Sequence, residues 1–133
     1  MRKDSTTQEQ EIELAEALRS LWEQAHGTPP GDVRVLVGAG SVSAWLREIL
    51  NPAEQAAAAH AESQTLLQRY AEELLSTIQP DLRARVEDIT GSQILSDTVH
   101  ADVVTGHMLC FFVLDERRPD GSMKTKDEPR KSV

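Results

Sequence analysis

The segment that decides the fold is His107-Met108-Leu109-Cys110-Phe111-Phe112-Val113-Leu114, a nearly unbroken apolar run near the end of the chain. Before it, between Leu95 and Val103, apolar residues alternate with polar ones, and Thr105-Gly106 separates the two stretches. Alternation with a period of two is typical of a β-strand. The two stretches therefore predict a hairpin whose second strand is apolar on both faces and needs cover on both sides.

A second hairpin is predicted earlier in the chain. The β-branched stretch 33–37 runs into Gly38-Ala39-Gly40, and alternation resumes between Ser41 and Leu50. The glycines suit a turn that needs positive φ. The rival interpretation of this turn as a phosphate cradle is weak, because the Gly-x-Gly-x-x-Gly fingerprint is incomplete.

Helical periodicity precedes and follows the hairpin at 33–50. A first helix is predicted from Gln8 to Ala25, with Thr7 and Gln10 as a capping box. Asn51-Pro52-Ala53-Glu54 has the cap residue, the proline and the glutamate that begin a second helix. A helix running from there to Ile78 would be about 40 Å long, so we expect a break near Glu62–Gln64.

Helical residues continue beyond Pro80, which we expect to disturb the helix because proline lacks an amide hydrogen. Gly91 is predicted as the left-handed cap at the end. The resulting order α-β-β-α-α-β-β predicts an α+β fold in two layers, with an antiparallel four-stranded sheet and helices on one face.

Such a sheet leaves its second face bare, and we expect a homodimer to cover it. Burial of 500 Å² of apolar surface would contribute about 12 kcal/mol before entropic costs. The expected interface residues are Met108, Cys110, Phe112 and Leu114.

Length and charge limit the possible classes of protein. The 133 residues suit one domain, predicted at 9–115, with a flexible N-terminus at 1–8 and a disordered tail at 116–133. From Glu9 to Asp115 there are 17 acidic residues against six arginines, a net charge of −11 with histidines neutral. This acidity excludes nucleic-acid binding through a broad basic face. With neither a signal peptide nor a long apolar run visible, a cytoplasmic location is expected.

Reactive residues do not form a familiar motif. His100, Asp102 and His107 share one predicted sheet face, but a two-residue turn would separate them too widely for one zinc ion. Cys110 lies in an apolar strand and is expected to be a core thiol, and His60 a packing residue on the second helix. We therefore expect a non-enzymatic protein without a metal or a cofactor.

The order of these elements resembles the bacterial MpsC-like family, labelled after a sodium-translocating, membrane-potential-generating system. The resemblance rests on the hairpin at 33–50, Asn51-Pro52-Ala53-Glu54, Thr90-Gly91, Thr105-Gly106 and the closing Val113-Leu114-Asp115. It covers roughly 9–115 and implies a small protein associated with a membrane ion or bicarbonate transport system, without supplying catalytic residues. The sequence departs from the family pattern at Gln79, where a basic residue is expected before Pro80, and at the small Gly38-Ala39-Gly40 turn.

Two functional hypotheses follow. The first is a dimeric accessory or regulatory protein that acts through protein contacts, with the cytoplasmic face of a membrane transporter as a partner. The alternative is a small-molecule sensor with a pocket between sheet and helices, lined by Trp45, Tyr70 and Phe111. An enzyme that uses His100, Asp102 and His107 is a third.

Overall fold

The computed structural model describes residues 6–116. Residues 1–5 and 117–133, which hold most of the expected flexible N-terminus and tail, lie outside the described residues. Along the chain the elements are α1 (Thr7–His26), β1 (Asp32–Gly38), β2 (Ser41–Arg47), α2 (Pro52–Ala58), α3 (Ala61–Thr90), β3 (Ile94–Asp102) and β4 (His107–Leu114). The predicted α+β fold, its element order and its antiparallel four-stranded sheet are confirmed.

The first helix begins one residue earlier than predicted. Thr6, not Thr7, is the cap: its hydroxyl accepts the Glu9 amide hydrogen, and the Glu9 carboxylate accepts the Thr6 amide hydrogen. Glutamate is the better partner here than the predicted Gln10, because its charge also suits the positive end of the helix dipole. Gln10 is instead buried against the core.

The long second helix is broken at Ala59–His60, before the expected position at Glu62–Gln64. His60 has extended backbone angles, and the Gln64 side chain donates to the Ala58 carbonyl at 2.6 Å across the break. His60 is therefore exposed at a helix junction and does not pack in the core. The cap at Asn51 forms as predicted, with Glu54 as its reciprocal partner.

Pro80 lies inside α3, which continues without interruption to Thr90. Packing of the apolar stripe against the sheet outweighs the one backbone hydrogen bond that proline cannot make. Leu82, Val86 and Ile89 are buried on this stripe, and Gly91 closes the helix with a positive φ of 72° as predicted.

The strands lie in the order β1-β2-β4-β3, so the two central strands are β2 and β4. Val33, Val35, Val42 and Leu46 face the helices together with the even-numbered residues of β4. These side chains and the apolar stripes of α1 and α3 form one hydrophobic core. The opposite face of the sheet, which we call the open face, is not covered by any described helix.

The β3–β4 hairpin differs from the predicted two-residue turn. Asp102 pairs with His107, so four residues, 103–106, form the connection. Val103 is drawn into the core, where its amide donates to the Gln68 side chain at 3.1 Å. Burial of this valine lengthens the loop and shifts the pairing by two residues.

Candidate functional site

The open face is a grid of outward side chains from all four strands. Its rows follow the strand pairing. One row contains Leu36, Ser43, Phe111 and Thr98, and the next contains Arg34, Trp45, Leu109 and His100. Beyond them lie two further pairs, Asp32 with Arg47 and His107 with Asp102. Each of the first two rows combines two apolar residues with two polar ones, with Trp45, Leu109 and Phe111 at the centre of the sheet, and the residues beyond them are polar.

The centre of the open face is apolar and exposed. Leu109 is 52% and Phe111 45% exposed on β4, and Leu36 on β1 is 70% exposed. An exposed cluster of this kind on one surface is unusual for a protein without a binding partner. An apolar centre with a polar rim is the composition of a protein–protein interface.

Neighbouring side chains hold Trp45 in place. The His107 ring meets it edge-on with centroids 5.3 Å apart, and the Arg47 guanidinium carbon lies 5.3 Å from its ring centroid. A tryptophan held between such partners loses little side-chain freedom on binding. Trp45 is therefore suited to be an anchor residue of the open face.

Asp32, Arg34 and Arg47 form a polar rim along one end of the open face. The Asp32 carboxylate accepts hydrogen bonds from Arg34 Nε at 3.2 Å and Arg47 Nη2 at 3.4 Å. The hydrogen bond from Arg34, with the positive charges of both arginines, lowers the pKa of Asp32. The Asp32 carboxylate thus compensates part of the positive charge of Arg34 and Arg47 on the open face.

A shallow hollow of ≈ 830 Å³ covers the open face and is lined by both Trp45 and Phe111. The expected pocket lay between the sheet and the helices, with Tyr70 as a third lining residue. Tyr70 is instead on the helical layer, where its ring lies 6.4 Å from that of His26. Trp45 and Phe111 therefore share a surface with each other but not with Tyr70, because the sheet separates them.

The structure also reverses the face expected for the interface. Met108, Cys110, Phe112 and Leu114 are only 0–6% exposed and belong to the chain's own core. The residues that remain available on β4 are the odd-numbered ones, above all Leu109 and Phe111. Alternation along the strands identifies them. The hairpin pairs the odd-numbered residues of β4 with the polar residues Thr98, His100 and Asp102 of β3, which face away from the core.

His100, Asp102 and His107 do lie on one face, closer together than predicted. Asp102 is directly opposite His107, and His100 is opposite Leu109. Within residues 6–116, no three histidine, cysteine, aspartate or glutamate side chains are placed to hold a metal ion. His107 instead contacts the Trp45 ring edge-on.

A second polar cluster joins the end of α1 to the start of α2. His26 Nε2 lies 2.6 Å from Glu54 Oε1, and its Nδ1 lies 2.9 Å from the Thr28 hydroxyl. Hydroxyl, imidazole and carboxylate in this order occur in nucleophilic enzymes. The His26 side chain is 0% exposed and stacks on Trp22 at 5.1 Å, so its imidazole is held firmly between the two helices. The cluster acts as a clamp between two helix ends.

Cys110 is buried in the core, as the sequence predicted. Burial, with a smaller contribution from the charge of Asp97, raises the pKa of its thiol to about 12. The thiolate is the reactive form, and the raised pKa keeps Cys110 almost entirely as the unreactive thiol at pH 8. We expect the native protein to resist a disulfide reagent such as DTNB at pH 8, with one thiol titrating only after denaturation in guanidinium. Rapid reaction of the native protein would contradict this burial.

In the described part of the chain, no helix combines the length and the apolar character needed to cross a membrane. No curated protein and no solved structure matches the chain. A family model does match, over residues 6–116, and its description is Na+-translocating membrane potential-generating system (MpsC). The match covers the complete sheet and all three helices, so the chain belongs to the MpsC family.

Proposed function

We propose that the chain is a non-enzymatic accessory subunit of a Na+-translocating membrane potential-generating system, located on the cytoplasmic side. In this proposal other subunits move the ion, and this chain regulates or scaffolds them through protein contacts. The family description supports the association with such a system. The observation that carries the contact role is the exposed apolar centre of the open face, with Leu109 and Phe111 about half exposed.

The open face is also where we place the expected homodimer contact. Trp45 supplies a rigid aromatic anchor there, and aromatic residues in the centre of an interface contribute most of its binding free energy. The ion pairs of Asp32 with Arg34 and Arg47 compensate one of the two positive charges, which lowers the cost of removing water nearby.

The proposal predicts that one charge in the open face abolishes function in cells. A strain that lacks the gene is complemented with wild type, Leu109→Asp or Leu66→Asp, and the Na+-dependent membrane potential is measured with a potential-sensitive dye. Leu66 is a matched control, because it is an exposed leucine, at 67%, on helix α3. We expect wild type and Leu66→Asp to restore the potential and Leu109→Asp to fail.

Two results would contradict the proposal. One is an unchanged membrane potential in the strain without the gene. The other is full restoration by Leu109→Asp at normal protein levels, because a charged open face cannot make an apolar contact.

A ligand-binding role is the second candidate, and the hollow over the open face favours it. Its volume of ≈ 830 Å³ falls in the range of small-molecule sites, and Trp45 and Phe111 offer aromatic surfaces. An apolar ligand there would compete with a protein partner for the same side chains. A ligand of this kind would therefore lower self-association while raising the melting temperature.

A further inference from the structure

We propose that a second copy of this chain covers the open face, sheet against sheet, so that the helical layers of the dimer point outwards. The inference rests on the proposed role of the open face as a contact surface and names its occupant. Three properties of the described residues support it: the distribution of charge, the state of the sheet edges and the size of the face.

The charge distribution favours this arrangement. Of the 17 acidic residues and six arginines between Glu9 and Asp115, the outward strand positions hold only Asp32, Asp102, Arg34 and Arg47. The open face is therefore neutral, and the other residues between Glu9 and Asp115 carry the net charge of −11. Two copies therefore repel each other when their acidic helical layers meet.

Sheet-against-sheet packing keeps the acidic layers far apart. Packed sheets lie about 10 Å from each other, and a helical layer lies about 10 Å beyond each sheet. The two helical layers are then about 30 Å apart, more than three times the screening length of ~8 Å at physiological salt. Repulsion between the copies is consequently screened in this dimer, whereas helix-to-helix contact would bring the acidic residues together.

Association through the sheet edges is hindered by side chains from the helices. On the β1 edge, the Glu11 carboxylate accepts the Val37 amide hydrogen at 3.0 Å. On the β3 edge, Gln68 donates to the Ala101 carbonyl and accepts from the Val103 amide. Capped edges cannot add a strand from another chain at these positions. The exposed face is then the main surface left for symmetric pairing.

The size of the open face places the dimer among the small specific interfaces. Four strands about 4.8 Å apart and seven residues of about 3.3 Å each give a face of roughly 19 by 23 Å. Two copies cover about 900 Å² when the face is treated as flat. The uneven surface of the side chains raises the buried area to near the ~1,200 Å² lower limit of standard interfaces. We therefore expect a reversible dimer with a dissociation constant in the micromolar range.

Sedimentation of the full chain tests the proposal. The monomer has a mass of 14.7 kDa, and we expect twice that mass at about 100 µM, with dissociation on dilution. Leu109→Asp and, as a second variant, Thr98→Arg place a charge on the open face at exposed positions. Both should weaken self-association at least about tenfold, whereas Leu66→Asp should not change it. Circular dichroism shows whether each variant is folded.

A wild-type mass of 14.7 kDa at about 100 µM overturns the dimer. Persistence of the dimer in both variants, when Leu109→Asp and Thr98→Arg are folded, also overturns it, because the copies would then meet elsewhere. The membrane-potential assay separates this outcome from failure of the proposed function. If wild type is a monomer and Leu109→Asp still abolishes the potential, the face has another partner. If Leu109→Asp disrupts the dimer but restores the potential, the dimer stands and the proposed function falls.

Discussion

Replacement of Trp22 by alanine is expected to remove most of the protein's free energy of unfolding. The Trp22 side chain is 1% exposed, its indole Nε1 donates to the Ile49 carbonyl at 3.2 Å, and it stacks on His26. Truncation of a buried tryptophan costs about 3–5 kcal/mol, and the buried carbonyl left without a donor costs about 1–3 kcal/mol more. The sum is comparable with the total stability of a small domain, about 5–15 kcal/mol.

Trp45→Ala is the matched control for Trp22→Ala. Trp45 is only partly buried and lies on the open face. We expect it to change the free energy of unfolding by about 1 kcal/mol when the chain is dilute enough to be monomeric. Urea unfolding followed by circular dichroism measures both variants. Equal losses at the two tryptophans would mean that the open face is as well packed as the helical side.

Two adjacent phenylalanines should separate stability from association. Phe112 is 1% exposed and faces the helices, and Phe111 is 45% exposed and faces outwards. We expect Phe112→Ala to cost about 3–5 kcal/mol of unfolding free energy, because it leaves a cavity in the core. Phe111→Ala should cost about 1 kcal/mol in the monomer but weaken self-association.

The measurements are urea unfolding at low protein concentration and sedimentation at high concentration. The expected result is a crossed pattern, in which the loss of stability falls mainly on Phe112→Ala and the loss of association falls on Phe111→Ala when both are folded. The reverse pattern would restore Met108, Cys110, Phe112 and Leu114 as the contact surface and would contradict the burial that places them in the core.

Local signals predicted most of the fold. Caps such as Asn51 with Glu54, glycines with positive φ such as Gly91, and the alternation in β2 act within a few residues. Each is therefore readable from the chain alone. The break lies at His60 and not at Glu62–Gln64, and the sequence does not mark it because the α2–α3 junction has no side-chain cap there.

The candidate site depends on contacts between residues that lie far apart in the sequence. The clamp joins His26 to Glu54, and Gln68 caps the β3 edge 33–35 residues away. No short motif encodes such pairs. The length of the β3–β4 loop was missed for the same reason, since the burial of Val103 depends on the neighbouring helix and not on the Thr105-Gly106 turn.

The sequence by itself determined that β4 is apolar on both sides and that it belongs to an antiparallel sheet with helices on one face. Only the tertiary structure decided which half of β4 the helices cover. Alternate residues of a strand point to opposite faces, and when both sets are apolar their composition cannot distinguish core from surface. Pairing across the sheet made that choice, by placing Leu109 and Phe111 beside Trp45, Ser43 and Thr98 on the face that the helices leave open.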